Sequence, residues 1–181
     1  MKRFCRLAVA LSACCIGAAT VTALELTPVR RTTIVTADPE ASLAFYRNLL
    51  GFIVEYDRRF TDRSALAILA PGASEGRAIA LRSGSRLGGS VGLYWSPGLT
   101  PPPKPCPNPA PAGAVSILLL TDDLVALKAR LDAAGVVPVA PMLSYENSRG
   151  PTDVYAVFDP NCVRVVFAKK KTETLTESLE K

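Results

Sequence analysis

Residues 29–36 are rich in Val, Thr and Ile, the composition of a strand. Asp38-Pro39-Glu40 follows, supplying an N-cap, a proline at the first helical position and an acidic first turn. Leu43, Phe45, Tyr46, Leu49 and Leu50 then recur at spacings of three and four, which predicts an amphipathic helix with one apolar face, closed by Gly51. Three strand-like runs come next, over 52–60, 64–70 and 77–82, separated by Thr61-Asp62 and by Pro71-Gly72-Ala73-Ser74. The predicted order is βαβββ.

The segment 96–113 breaks this pattern with Pro101-Pro102-Pro103-Lys104-Pro105-Cys106-Pro107, a composition that favours extended backbone and cannot enter a central strand, so it reads as a linker or lid. Beyond it the first pattern returns. A strand is predicted over 114–121, a cap at Asp122-Asp123, and a helix through Leu124, Leu127, Leu131 and Ala134 that ends at Gly135. Strands over 136–143, 151–158 and 163–168 complete the set, the last two divided by the Asp159-Pro160-Asn161 turn. The chain thus holds two copies of one supersecondary unit, alike in order though weakly alike in residues. Each four-stranded sheet has one helix for one face and leaves the other to be buried or to hold a ligand, so two curved sheets side by side make a cup. The fold class expected is α+β, two βαβββ modules forming a paired, cup-shaped mixed sheet; a ferredoxin-like sandwich is the alternative.

The first 23 residues stand apart. Lys2, Arg3 and Arg6 precede an uncharged run over 7–24 rich in small residues, the pattern of an export signal. Val21-Thr22-Ala23 offers a signal-peptidase site, whereas Leu11-Ser12-Ala13-Cys14 fits a bacterial lipoprotein with Cys14 lipidated; a retained anchor ranks third because the run is weakly hydrophobic. The expected location is therefore periplasmic, or membrane-attached through the leader or a lipid.

Composition adds little beyond the leader. At 49% hydrophobic and 20% charged the chain is that of an ordinary globular protein. The leader holds three of the 21 Lys and Arg and none of the 16 Asp and Glu, so its removal takes the formal charge from +5 to +2. Lys169, Lys170 and Lys171 open a polar tail over 169–181, and so short a charge run at a solvated end argues for no nucleic-acid partner. Cleavage after Ala23 leaves only Cys106 and Cys162; in an oxidising compartment they form one disulfide or remain two thiols.

The run IVTADPEASLAFYRNLLGF over 34–52, with its Phe45-Tyr46 and Leu50-Gly51 pairs, resembles the opening of the vicinal oxygen chelate superfamily, the glyoxalase and bleomycin-resistance family. The second half resembles that family's closing module through 119–135 and Val157-Phe158-Asp159-Pro160-Asn161. The resemblance implies a domain over 29–168, with modules at about 29–95 and 114–168. It also implies a divalent metal held by His, Glu or Gln from the first and fourth strands of each module. At the first-strand places stand Arg31 and Ser116, and at the fourth-strand places Ala80 and Val166. The chain contains no histidine, and no Asp or Glu lies between Arg77 and Gly92 or between Asn161 and Lys171. A family-type metal site is not expected, nor any other cofactor. Cys162 stands where the family usually has glycine.

Without histidine, Ser–His and Cys–His nucleophilic systems are excluded, leaving carboxylates, Lys, Tyr or Cys as acid–base groups, with Glu55, Asp57, Glu146 and Asp153 candidates by type alone. Ligand recognition suits the remaining residues better. A guanidinium at Arg31 pairs well with a carboxylate or phosphate, Ser116 stands at the matching place, and Tyr94, Trp95, Tyr145 and Arg149 are placed to rim the cup. The leading expectation is an exported module that binds a small organic molecule without turning it over. The alternatives are a metal-free lyase, isomerase or dioxygenase-related enzyme, and a protein-interaction module. The modules pair within one chain or across a homodimer.

Overall fold

A computed structural model describes residues 29–84, 89–147 and 150–170. The leader, Cys14, Arg149 and residues 171–181 lie outside the described residues. Two four-stranded mixed sheets make up the molecule. The first has strands β1 (Arg31–Val35), β2 (Ile53–Phe60), β3 (Gly76–Arg82) and β4 (Ser90–Trp95) in the order β1-β4-β3-β2. The second has β5 (Ser116–Leu120), β6 (Leu143–Asn147), β7 (Gly150–Phe158) and β8 (Arg164–Lys170) in the order β5-β8-β7-β6. In each sheet the first strand runs parallel to the last and lies at the edge, so the two modules share one topology.

The helices follow their caps. Asp38 accepts from Ala41 N and starts α1 (Pro39–Leu43), which passes into a π-helical stretch over Ala44–Leu49. Asp123 accepts from Ala126 N and starts α3 (Leu124–Ala133). Gly51 and Gly135 end the two helices at φ +78° and +72°, where a side chain would strain the backbone. The apolar faces meet in a single core that draws on both modules, from Ile34, Phe45, Tyr46 and Leu81 to Leu131, Tyr155, Val165 and Phe167.

Four expectations are corrected. The segment 64–70 is not a strand but a helix, α2 (Arg63–Leu69), because Asp62 Oδ1 caps both Ser64 N and Ala65 N and the run holds only one β-branched residue, Ile68. The fourth strand of the first module is therefore β4, and 77–82 is the third. The strand placed over 136–143 begins only at Leu143, since Pro138 and Pro141 lack the N–H that a ladder needs; Pro138 makes a single bridge to Val157. Lys169 and Lys170 are not tail but the end of β8, paired with Asp153 and Thr152.

Candidate ligand-binding groove

The two edge strands β1 and β5 border a groove of about 1050 Å³. Arg31, Thr32, Leu50 and Phe52 line it from the first module; the whole of β5, Leu127 and Arg130 line it from the second. Arg31 and Ser116 are thus brought together in one site.

Strand alternation puts Arg31, Thr33 and Val35 on the face of the first sheet away from α1, together with Ser90, Gly92 and Tyr94 of β4. The Arg31 side chain lies across that face. Its Nε donates to Ser90 Oγ at 3.1 Å, its Nη1 donates to the Tyr56 hydroxyl, and its guanidinium sits over the Tyr56 ring, 5.1 Å from the centroid. Only glycine allows this course. A Cβ at position 92 would stand 2.8 Å from Arg31 Cδ and 2.9 Å from Thr33 Oγ1.

The second module repeats the arrangement with the residue types exchanged. Arg31 faces Ser90 in the first sheet, and Ser116 faces Arg164 in the second; Thr33 faces Gly92, and Leu118 faces Val166. The place matching Val166 is therefore Gly92 and not Ala80, which sits beside it on β3. Arg164 has its Nε buried without a hydrogen-bond partner among the described residues, and its guanidinium lies over Phe158.

This donor set does not fit a divalent cation. The four places carry a guanidinium, a hydroxyl, a glycine and a valine, and Arg31 would repel a cation at the floor of the cup. No group of three or more His, Cys, Asp or Glu converges among the described residues.

The remaining candidates have other occupations. Tyr94 does not rim the cup; it is 1% exposed, packed near Phe60 at 6.1 Å between ring centroids. Leu69 and Ala70 share a pocket wall with Val35 and Tyr94, which places α2 against this face of the first sheet. Trp95 is half-buried beneath Arg59. Tyr145 does not rim the cup either; it lies on β6, exposed and outside the groove lining. Glu55 pairs with Arg82, and Asp57 makes a two-point contact with Arg77, whose guanidinium holds the Asp57 carboxyl below the usual range. Ser144 donates to Asp153, and Glu146 lies exposed on β6. Cys106 and Cys162 form a disulfide with Cα atoms 5.3 Å apart, fastening the Pro-rich segment to the turn between β7 and β8.

Sequence reasoning missed Tyr56, Ser90, Arg130 and Arg164. Arg164 was legible as the partner of Ser116 once the parallel pairing of first and fourth strands is known, and Arg130 as the residue beside the Leu127–Leu131 stripe.

Comparison with known proteins places this fold among relatives. The family model for the Glyoxalase/Bleomycin resistance protein/Dioxygenase superfamily matches residues 29–167. A glyoxalase family protein from Bacillus cereus is similar in structure, with a TM-score of 0.64 and 17% identity over 81% of this chain and 95% of that one. A glyoxalase family protein from Enterococcus faecalis matches at 0.54 and 16%, over 78% and 96% of the two chains. The trypanothione-dependent glyoxalase I of Leishmania major matches at 0.56 and 20%, over 86% and 94%. No curated protein sequence matches the chain.

Proposed function

The chain belongs to the Glyoxalase/Bleomycin resistance protein/Dioxygenase superfamily, and on that premise we propose that it is an exported member that binds a small organic molecule in the groove between its modules, without a resident metal and without turnover. The observation that carries this reading is the course of Arg31. A cation-binding floor has become a cation-bearing floor, held in place by Ser90, Tyr56 and the bare backbone of Gly92. The groove remains large enough for a compound of ordinary metabolite size. Its walls are mostly apolar, with Ile117, Leu118, Leu119, Leu127 and Phe167 among them, which suits retention of an organic body by burial.

Catalysis is disfavoured by the state of the acids. Glu55 and Asp57 are spent on arginines, and Asp123, which lines the groove, is spent as the cap of α3. A general base needs a carboxylate free to take a proton from substrate. Export is supported by the leader-like segment and by a chain whose two remaining cysteines are joined, a pairing that persists in oxidising compartments.

Native mass spectrometry of the protein purified without added ligand tests the proposal. A retained organic mass in the wild type that is lost in Arg31→Met, with folding unchanged by circular dichroism, is the expected result. Retention of the same mass by Arg31→Met would contradict the role given to Arg31, and retention by Leu118→Arg as well, which blocks the groove, would remove the groove from the function.

A further inference from the structure

The charge pattern of the groove narrows what it takes. Two guanidiniums line it, Arg31 from β1 and Arg130 from α3, against one carboxylate, Asp123, so the lining carries a net positive charge. Among the described residues no carboxylate pairs with Arg31 or Arg130. Three other arginines of the first sheet have acids: Arg59 with Glu75, Arg77 with Asp57 and Glu40, Arg82 with Glu55. The contrast is sharpest within one register line, where Arg31, Ser90 and Arg82 sit side by side on adjacent strands and only Arg82 has an acid.

The contacts of Arg31 leave room for an anion. Of five guanidinium N–H groups, one on Nε goes to Ser90 and one on Nη1 to Tyr56, and both acceptors are neutral hydroxyls that fix the plane without cancelling the charge. The others, including both on Nη2, are left to form a fork suited to a planar or tetrahedral oxyanion. Among the described residues Arg130 Nη1 donates to the Leu49 carbonyl alone, at 3.3 Å. Away from these two heads the walls are aliphatic and aromatic. Leu118 is 63% exposed and lines the groove, leaving apolar surface there for a ligand to cover.

We infer that the ligand is an anionic amphiphile, a molecule with one carboxylate or phosphate monoester head at Arg31 and an apolar body along β5 and Leu127. This rests on the groove reading above and adds the chemical class. Isothermal titration with dodecanoate and dodecyl phosphate, below their micellar concentrations, and with dodecan-1-ol, below its solubility limit, tests it on the full-length folded protein. Either anion should bind about ten- to a hundredfold more tightly than the alcohol, the worth of a charge-assisted pair. The tighter of the two identifies the head. Arg31→Met should bring the anions to the level of the alcohol and leave the alcohol unchanged, and Arg130→Met should weaken anions less.

Equal binding of alcohol and anions by the wild type overturns the anion assignment while the apolar groove stands. Equal loss of alcohol and anions in Arg31→Met also overturns it, since Arg31 would then be shaping the groove and not reading charge. Absence of binding by all three overturns both the class and the groove.

Discussion

The Tyr46 hydroxyl donates to Asp159 Oδ2 at 3.0 Å across 113 residues of chain, joining the helix of the first module to the turn before the last strand of the second. Both residues are buried, at 0% and 2% exposure. Asn161 Nδ2 extends the junction by donating to Asp159 Oδ2 and to Ser42 Oγ, while Asp159 Oδ1 accepts from the backbone of Asn161 and Val163. Burial raises the Asp159 carboxyl above its ordinary 3.8, and these donors offset part of that rise. A raised folded-state value means that the folded protein holds this proton more tightly than the unfolded chain. Its contribution to stability is then complete below pH 3.8 and is lost as pH rises through the folded value. Urea unfolding across this range should show the wild type losing stability relative to Asp159→Asn as pH rises; a gap that widens in favour of the wild type would contradict the sign.

Removing the donor has its own cost. Tyr46→Phe keeps the ring in the core and strips one bond from a buried carboxylate, and should destabilise by about 1–3 kcal/mol in denaturant unfolding at neutral pH. A change within error would mean that the hydroxyl is not holding the modules together.

Cys162 has φ +61°, in the left-handed region that side chains avoid, at a turn position suited to glycine. Its disulfide to Cys106 closes a separation of 56 residues and should contribute about 4 kcal/mol on the chain-entropy estimate. Thermal unfolding with and without reductant measures the loss. In a Cys106→Ser background, Cys162→Gly should be more stable than Cys162→Ser by about 1 kcal/mol, because the backbone strain is relieved once the bridge is gone. The opposite ranking would place the constraint elsewhere in the turn.

Gly92→Ala should act on Arg31 at one remove. The new methyl group meets Arg31 Cδ and Thr33 Oγ1 inside contact distance, so the flexible arginine moves and gives up Ser90 or Tyr56. Dodecanoate affinity should fall by about tenfold with a melting temperature little changed. A large loss of folding with intact affinity would show that the backbone of β4 shifts instead.

The repeat was legible because each module marks itself with a local signal, an Asp cap with apolar positions three and four apart, that tertiary context does not override. The short second helix was not. Ser64 to Ala70 is a short, almost wholly apolar run whose periodicity does not separate strand from helix, and only the two backbone amides that Asp62 caps decide for α2, which then lies against the open face and takes Tyr94 out of the rim. Misplacing that segment also moved the fourth strand, so the fourth-strand place was read at Ala80 when it stands at Gly92. Arg31 and Ser116 do not depend on that segment, because each stands the same distance before its helix cap, Asp38 or Asp123. Tyr56 and Ser90 were missed because their role depends on strand pairing across 25 and 59 residues, which no local pattern reports.

The central claim, that an organic molecule and not a metal ion occupies this cup, is tested most directly by elemental analysis of the purified protein joined to titration with Zn²⁺, Ni²⁺, Co²⁺ and Mn²⁺. The expected result is substoichiometric metal on purification and no saturable binding of any of the four to the groove, with Arg31→Ala indistinguishable from the wild type. One equivalent of divalent metal bound with micromolar affinity or better, and weakened by substitutions at Ser90 or Ser116, would contradict it.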